Sequence, residues 1–286
     1  MRRALPQLVR HWRVVALVRQ RDPQLAALGV AQIEGDLDRP DTLTRLAGIA
    51  DAVIHSAPPP PQGTEDTRTQ NLIAILRRGK SLPRQLVYIS TSGVYGDCGG
   101  AWVNETRAPA AKSARAVRRV DAERRLRRFG RQRGCQCRVS ILRAPGIYAA
   151  DRLPLERLRK LLPLMLHAED SHTNHIHADD LARACIAALT RGRANRVYNI
   201  KDDSSLAMGE WFDALADAFA LPRAARLPRE EVRCAVPPTQ WSFMNESRRL
   251  DNTRMKQELR LRLRYPSVAE GISAAVMENA SCSCSG

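Results

Sequence analysis

The sequence predicts an α/β fold: a doubly wound, mostly parallel sheet whose first βα unit is truncated, with a smaller carboxyl-terminal α/β lobe. Three observations predict it. Short apolar runs recur with helical patterns between them, the alternation that builds βαβ units and a parallel sheet. Several runs are continuously apolar, as strands covered by helices on both faces require. From about Asp151 the strand spacing loosens and prolines gather at 154, 163, 222, 228, 237 and 238.

The expected strands are Val14 to Val18, Ala31 to Glu34, Ala52 to His55, Gln85 to Ile89, Arg138 to Leu142 and a weaker Val197 to Ile200. Between them, apolar residues at three- and four-residue spacing predict helices over Leu43 to Ile49, Thr69 to Leu76, Val117 to Phe129, Asp179 to Leu189 and Met208 to Phe219. Asp41 and Asp179 are the expected amino-terminal caps of two of these helices. The last residues, Glu278 to Gly286, are rich in Ser, Cys and Gly and are expected to fray.

The 286 residues carry 46 Lys+Arg against 30 Asp+Glu, a net charge of +16. Such a balance concentrates anions near the surface, so nucleic acid is a rival partner to weigh. The basic residues are almost all Arg and run the whole length. Their densest stretch, Arg115 to Arg133, falls on a helical pattern, so an anionic small ligand is the better expectation. The seven cysteines show no CxxC pair, which supports neither a zinc site nor a disulfide framework. Cys135 with Cys137 and Cys282 with Cys284 read as buried small hydrophobes and tail residues. No metal is expected. No stretch is long and apolar enough to cross a bilayer, so a cytoplasmic protein is expected.

The amino end, Arg2 to Arg13, has the pattern of a helix, and no glycine occurs before Gly29. A dinucleotide-binding unit opens with a strand and a G-x-G-x-x-G turn whose following helix holds the pyrophosphate. The expectation is that this first strand and turn are missing. Val14 to Val18 then ends in Arg19, a residue able to pair with a 2′-phosphate, which tilts the expected cofactor from NAD toward NADP. Asp36 and Leu37 follow the next strand, and Ser56 and Ala57 the one after. All four fall where a doubly wound sheet presents its carboxyl ends to a ligand.

The block Leu86-Val87-Tyr88-Ile89-Ser90-Thr91-Ser92-Gly93-Val94-Tyr95-Gly96-Asp97 is the most specific. It resembles the active-site strand of the extended short-chain dehydrogenase/reductase family, which includes the NAD-dependent sugar-nucleotide epimerases and dehydratases. Four further segments resemble that family in order: Asn104-Glu105-Thr106 with Pro109, Ile141 to Tyr148, Asn174 to Ala182 with the Val197 to Ile200 strand, and Tyr265 to Gly271. The resemblance implies that Thr91, with Tyr95, supplies hydroxyls to a substrate. It also implies that Ser90, Arg119 and Pro145 line the cofactor and that His175 and His177 hold no metal. The family acts on nucleotide sugars and similar small anions, commonly as homodimers through two facing helices. It divides here into a dinucleotide-binding part, 1–148, a substrate-side lobe, 149–277, and a flexible tail, 278–286.

One departure matters for chemistry. The family's Tyr, with a Lys four residues on, transfers the proton during hydride transfer. Alignment on Glu123 places Arg115 and Arg119 at these positions. A guanidinium cannot accept a proton at neutral pH. An oxidoreductase or epimerase and a catalytically silent dinucleotide-binding sensor or assembly protein are therefore both carried forward.

Overall fold

In the computed structural model, described for residues 1–132 and 136–283, the strands fall where the apolar runs predict them. They are β1 (Val15–Val18), β2 (Ala31–Glu34), β3 (Ala52–His55), β4 (Gln85–Thr91), β5 (Arg138–Ala144) and β6 (Arg196–Asn199). All their pairings are parallel. β1 pairs with β2, and β3, β4, β5 and β6 pair in that order. The sheet is therefore split between β1 and β3, whose facing edges do not pair with each other.

Side chains alternate across the sheet, so each strand feeds two cores. Leu86, Tyr88 and Ile141 join Leu72, Ile75, Leu126 and Phe129 on one face. These come from α1 (Thr67–Arg77) and α2 (Ala114–Gly130). Val87, Leu142 and Tyr198 join Leu181, Cys185 and Ala188 of α3 (Ala178–Arg191) on the other. Coverage of both faces explains why β4 and β5 are almost wholly buried. Residues near the amino end, Ala4, Leu5 and Leu8, pack with Ala182 and Ile186 of α3. A separate cluster around Trp211, Phe212, Leu215, Met165, Val268 and Ile272 gathers α4 (Met208–Ala218) and α5 (Val268–Ser283).

Several local expectations are corrected. The amino-terminal helix stops at Leu8 instead of continuing to Arg13. Pro40–Leu46 is a tighter 3₁₀ turn rather than an α-helix. Asp41 does not cap it: Thr42 Oγ1 accepts from the Asp36 N–H and donates to the Arg39 carbonyl, closing the turn from inside. The cap of α3 is His177, whose Nδ1 accepts from the Asp179 N–H, so Asp179 lies inside the first turn. The tail expected from Glu278 is helical as far as Ser283, as part of α5. Arg133 and Cys135, at the end of the basic run, and Cys284 lie outside the described residues.

Candidate functional site

β4 ends at Thr91 and turns into the 3₁₀ segment Ser92–Tyr95. Thr91 Oγ1 accepts from the Gly93 N–H at 3.2 Å, which stabilises the turn and leaves the hydroxyl proton without an acceptor among the described residues. A Cβ built on Gly93 would stand 3.5 Å from Thr91 Oγ1 and 3.8 Å from the Ala116 Cβ. The strand end thus abuts the first turn of α2. Ser113 begins that helix by accepting from the Ala116 N–H, and Arg115 and Arg119 follow one turn apart.

Arg119 is anchored inward. Its Nη1 donates to the Ile89 carbonyl at 2.7 Å and to the Tyr88 hydroxyl at 3.0 Å, and its guanidinium lies 5.4 Å from the Tyr88 ring centre. Tyr88 stacks in turn on His55 at 5.1 Å. Burial, and secondarily the Arg119 charge, pushes the His55 imidazole down to about 3, so it is neutral. Arg115 reaches the other way, its guanidinium 4.5 Å over the Phe243 ring of the second lobe. Desolvation, and then the like charge of Arg119, lowers the Arg115 pKa, but a guanidinium still stays protonated at neutral pH.

Two expected site residues, Tyr95 and Ser90, are buried. Tyr95 is fully buried and its hydroxyl donates to Asn199 Oδ1 at 2.7 Å. Ser90 is 4% exposed and donates to Glu123 Oε1 at 2.6 Å. Both hydroxyls are spent on the interior. A polar network that the sequence did not signal explains why. Glu123 also holds Arg143 through two hydrogen bonds, Arg143 lies 4.6 Å over the Tyr95 ring, and Asn199 takes Glu105 on its N–H. Gly96, at φ 66, ends this turn with only 2.3 Å from a would-be Cβ to the Ala110 carbonyl oxygen, so glycine is required there.

At the far strand ends, Arg19, Asp36 and Leu37 do come together. Arg19 Nε stands 3.3 Å from Asp36 and its Nη2 3.9 Å from Asp38. A 2′-phosphate here would meet two carboxylates along with the cation, so Arg19 alone does not decide between NAD and NADP. Leu37 is buried, with its carbonyl accepting from Asn71. Arg68 was not foreseen: it clamps Asp38 bidentately at 2.6 and 2.8 Å and bonds the Pro58 carbonyl at 3.0 Å. It thereby joins the loop after β2 to the Ser56-Ala57 loop after β3. Ser56 is exposed and Ala57 half-buried beside it, and Pro145 is half-buried just past β5. His175 and His177 are buried apart from one another's chemistry, the first stacked on Trp211 at 4.1 Å and the second against Tyr265 at 4.0 Å.

For a dinucleotide, the observation that bears on fit is the row of side chains at the carboxyl ends of β1, β2 and β3. Arg19, Asp36 and Ser56 carry polar side chains there, with Ala57 beside Ser56. The segment before β1 is helical at Arg2–Ala4 and Leu5–Leu8 and contains no glycine turn.

Comparison with known proteins agrees with this geometry. No curated protein matches the chain. Among solved structures, a functionally unknown conserved protein from Silicibacter pomeroyi is 23% identical with a TM-score of 0.75, covering 97% of this chain and 94% of that one. The structure of MoeE5 in complex with UDP-glucose and NAD is 20% identical, with a TM-score of 0.73 and 98% and 94% coverage. UDP-N-acetylglucosamine 4-epimerase from Bacillus cereus is 18% identical, with a TM-score of 0.72 and 97% and 94% coverage. At these identities the likeness shows the fold. The family itself is matched directly over residues 3–200, and with the β4 strand end, α2 and the parallel sheet in their places, the chain belongs to the NAD dependent epimerase/dehydratase family.

Proposed function

We propose that this chain binds a nicotinamide dinucleotide and a nucleotide-sugar-like anion, in the manner of the oxidoreductases and epimerases of its family, without a tyrosine proton acceptor. The observation that carries the reading is the end of β4 at Thr91, which abuts the first turn of α2, the helix that carries Arg115 and Arg119. Asp36, Leu37, Ser56 and Ala57 would hold the nucleoside half, and Arg119 and Pro145 the other end. When bound, the nicotinamide supplies a hydride donor or acceptor. Thr91 offers its hydroxyl proton to a substrate oxygen, and Arg115 and Arg119 offer positive charge. Neither arginine can take a proton from a sugar hydroxyl, so these residues bind and orient more readily than they transfer protons.

Arg115 also favours a second reading, a catalytically silent dinucleotide-binding sensor or assembly protein. The experiment that separates the two titrates NAD and NADH by calorimetry, then follows absorbance of the reduced cofactor with UDP-glucose and UDP-N-acetylglucosamine. Binding with turnover supports the enzyme, binding without turnover supports the silent reading, and failure to bind either dinucleotide overturns both.

A further inference from the structure

A cleft of about 640 Å³ opens between the carboxyl-terminal half of α2 and the loop carrying Glu105 to Pro109. That volume suits a small molecule, since such sites run roughly 300–1,000 Å³. Its wall is a stripe of arginines. Arg124, Arg127, Arg128 and Arg131 recur at three- and four-residue spacing on one side of the helix, and Arg107 faces them from the loop. Like charges at this spacing oppose helix formation by a few tenths of a kcal/mol each, roughly. A cation near a helix carboxyl end recovers part of that through the macrodipole. The dipole does not call for four, nor for a concave arrangement of them.

The charges are unevenly satisfied. Arg124 pairs with Asp121 at 2.6 Å, and Arg127 only reaches Glu123 at 3.7 Å. Glu123 is already committed to Arg143. Arg107, Arg128 and Arg131 are exposed and have no ion pair among the described residues. Burial lowers the Arg127 pKa; the Glu123 charge opposes that shift, and the cations Arg143 and Arg131 add to it.

A second, independent observation comes from the inner end. Arg143 lines the cleft and is 1% exposed, yet its Nη1 has no hydrogen-bond partner. A buried N–H of a cation left unmade is costly; the guanidinium lies 4.6 Å over the Tyr95 ring, and an anion reaching the inner end of the cleft would offset that cost.

We propose that this cleft is a binding site for a small polyphosphate-bearing anion, made by residues other than those assigned above to the dinucleotide and sugar, with Arg128 and Arg131 as its outer contacts and Arg127 and Arg143 as its inner ones. Guanidinium forks match phosphate oxygens bidentately, and three cations without counter-ions suit a ligand of several negative charges. Extended nucleic acid is disfavoured because the inner contacts sit inside a concavity and not along a surface track.

The test is calorimetric titration of the full chain with inorganic tripolyphosphate at low salt. Arg128→Ala/Arg131→Ala, both exposed, is expected to weaken binding about tenfold or more. Arg223→Ala/Arg233→Ala removes the same charge from exposed sites of the second lobe and is expected to leave affinity within about twofold. Far-UV circular dichroism checks that both variants are folded. Equal weakening in the two variants, or no binding of tripolyphosphate, overturns the proposal. So does tighter binding of duplex DNA than of tripolyphosphate that is lost in the Arg128→Ala/Arg131→Ala variant.

Discussion

Glu123 and Arg143 are joined by two parallel hydrogen bonds, Nε to Oε1 at 3.0 Å and Nη2 to Oε2 at 2.6 Å, with both side chains almost wholly buried. Burial alone would lower the Arg143 pKa, but the Glu123 carboxylate outweighs it and holds the guanidinium above its ordinary value. Removing one partner leaves a buried charge alone. Glu123→Ala is expected to cost about 3–5 kcal/mol in denaturant unfolding, while Glu123→Met with Arg143→Met costs markedly less. Equal losses would show that the pair is not what this part of the core depends on.

Arg115 and Arg119 occupy the places where the resembled family has its proton-transferring pair. Arg115→Tyr with Arg119→Lys is expected to raise nucleotide-sugar turnover by about 100-fold or more over the natural chain, the usual scale of a positioned acid–base group. Absorbance of the reduced cofactor reads it. No gain, in a variant that still binds NAD, would show that the substrate is not placed against this helix turn.

The Thr91 hydroxyl proton has no acceptor among the described residues. Thr91→Ala is expected to weaken binding of a UDP-sugar about 2–10-fold, the range of a single hydrogen bond, with Thr91→Ser retaining most of it. The same change at Tyr95, to Phe, acts on stability through Asn199. Its ligand affinity should stay near that of the natural chain, as calorimetry would measure.

Asp36 competes for Arg19. The natural chain is therefore expected to bind NADH at least as tightly as NADPH. Asp36→Asn, by releasing the cation, is expected to move the preference toward NADPH by about 2–5-fold, the scale of an exposed ion pair. Competitive fluorescence titration decides between them.

His175 is buried against Trp211, and burial, with the Lys201 charge second, pushes its pKa down to about 3. The unfolded chain binds a proton near the ordinary value of 6.5, so it takes up more protons than the folded chain between these limits. Stability from this group is complete above about 6.5 and falls as the pH drops toward 3. His175→Phe, which keeps a ring against Trp211, is expected to flatten part of that loss. Thermal melts from neutral to acid pH would show it, with His55 accounting for a further share.

Much of this was written in the chain itself. Short runs of β-forming residues bounded by polar turns read as strands, so β2 and β3 were legible to the residue and β4 and β5 nearly so. The Thr91 to Asp97 motif marked a strand end, and β4 does end at Thr91. The arginines at 115 and 119 bear on proton transfer for the same elementary reason: a guanidinium's pKa is a property of the group. Which hydroxyls face a ligand was decided only by packing. Ser90, Thr91 and Tyr95 are alike in one dimension. In three, Ser90 and Tyr95 turn toward Glu123 and Asn199, partners 33 and 104 residues away, and the Thr91 proton has no acceptor among the described residues. Charge followed the same division: the sequence counts its arginines, but only the fold pairs Arg19 with Asp36, buries Arg143 on Glu123, and leaves Arg128 and Arg131 at the mouth of a cleft. Long-range pairing has no local signature, because the residues that neutralise one another are brought together by the sheet and not by their spacing.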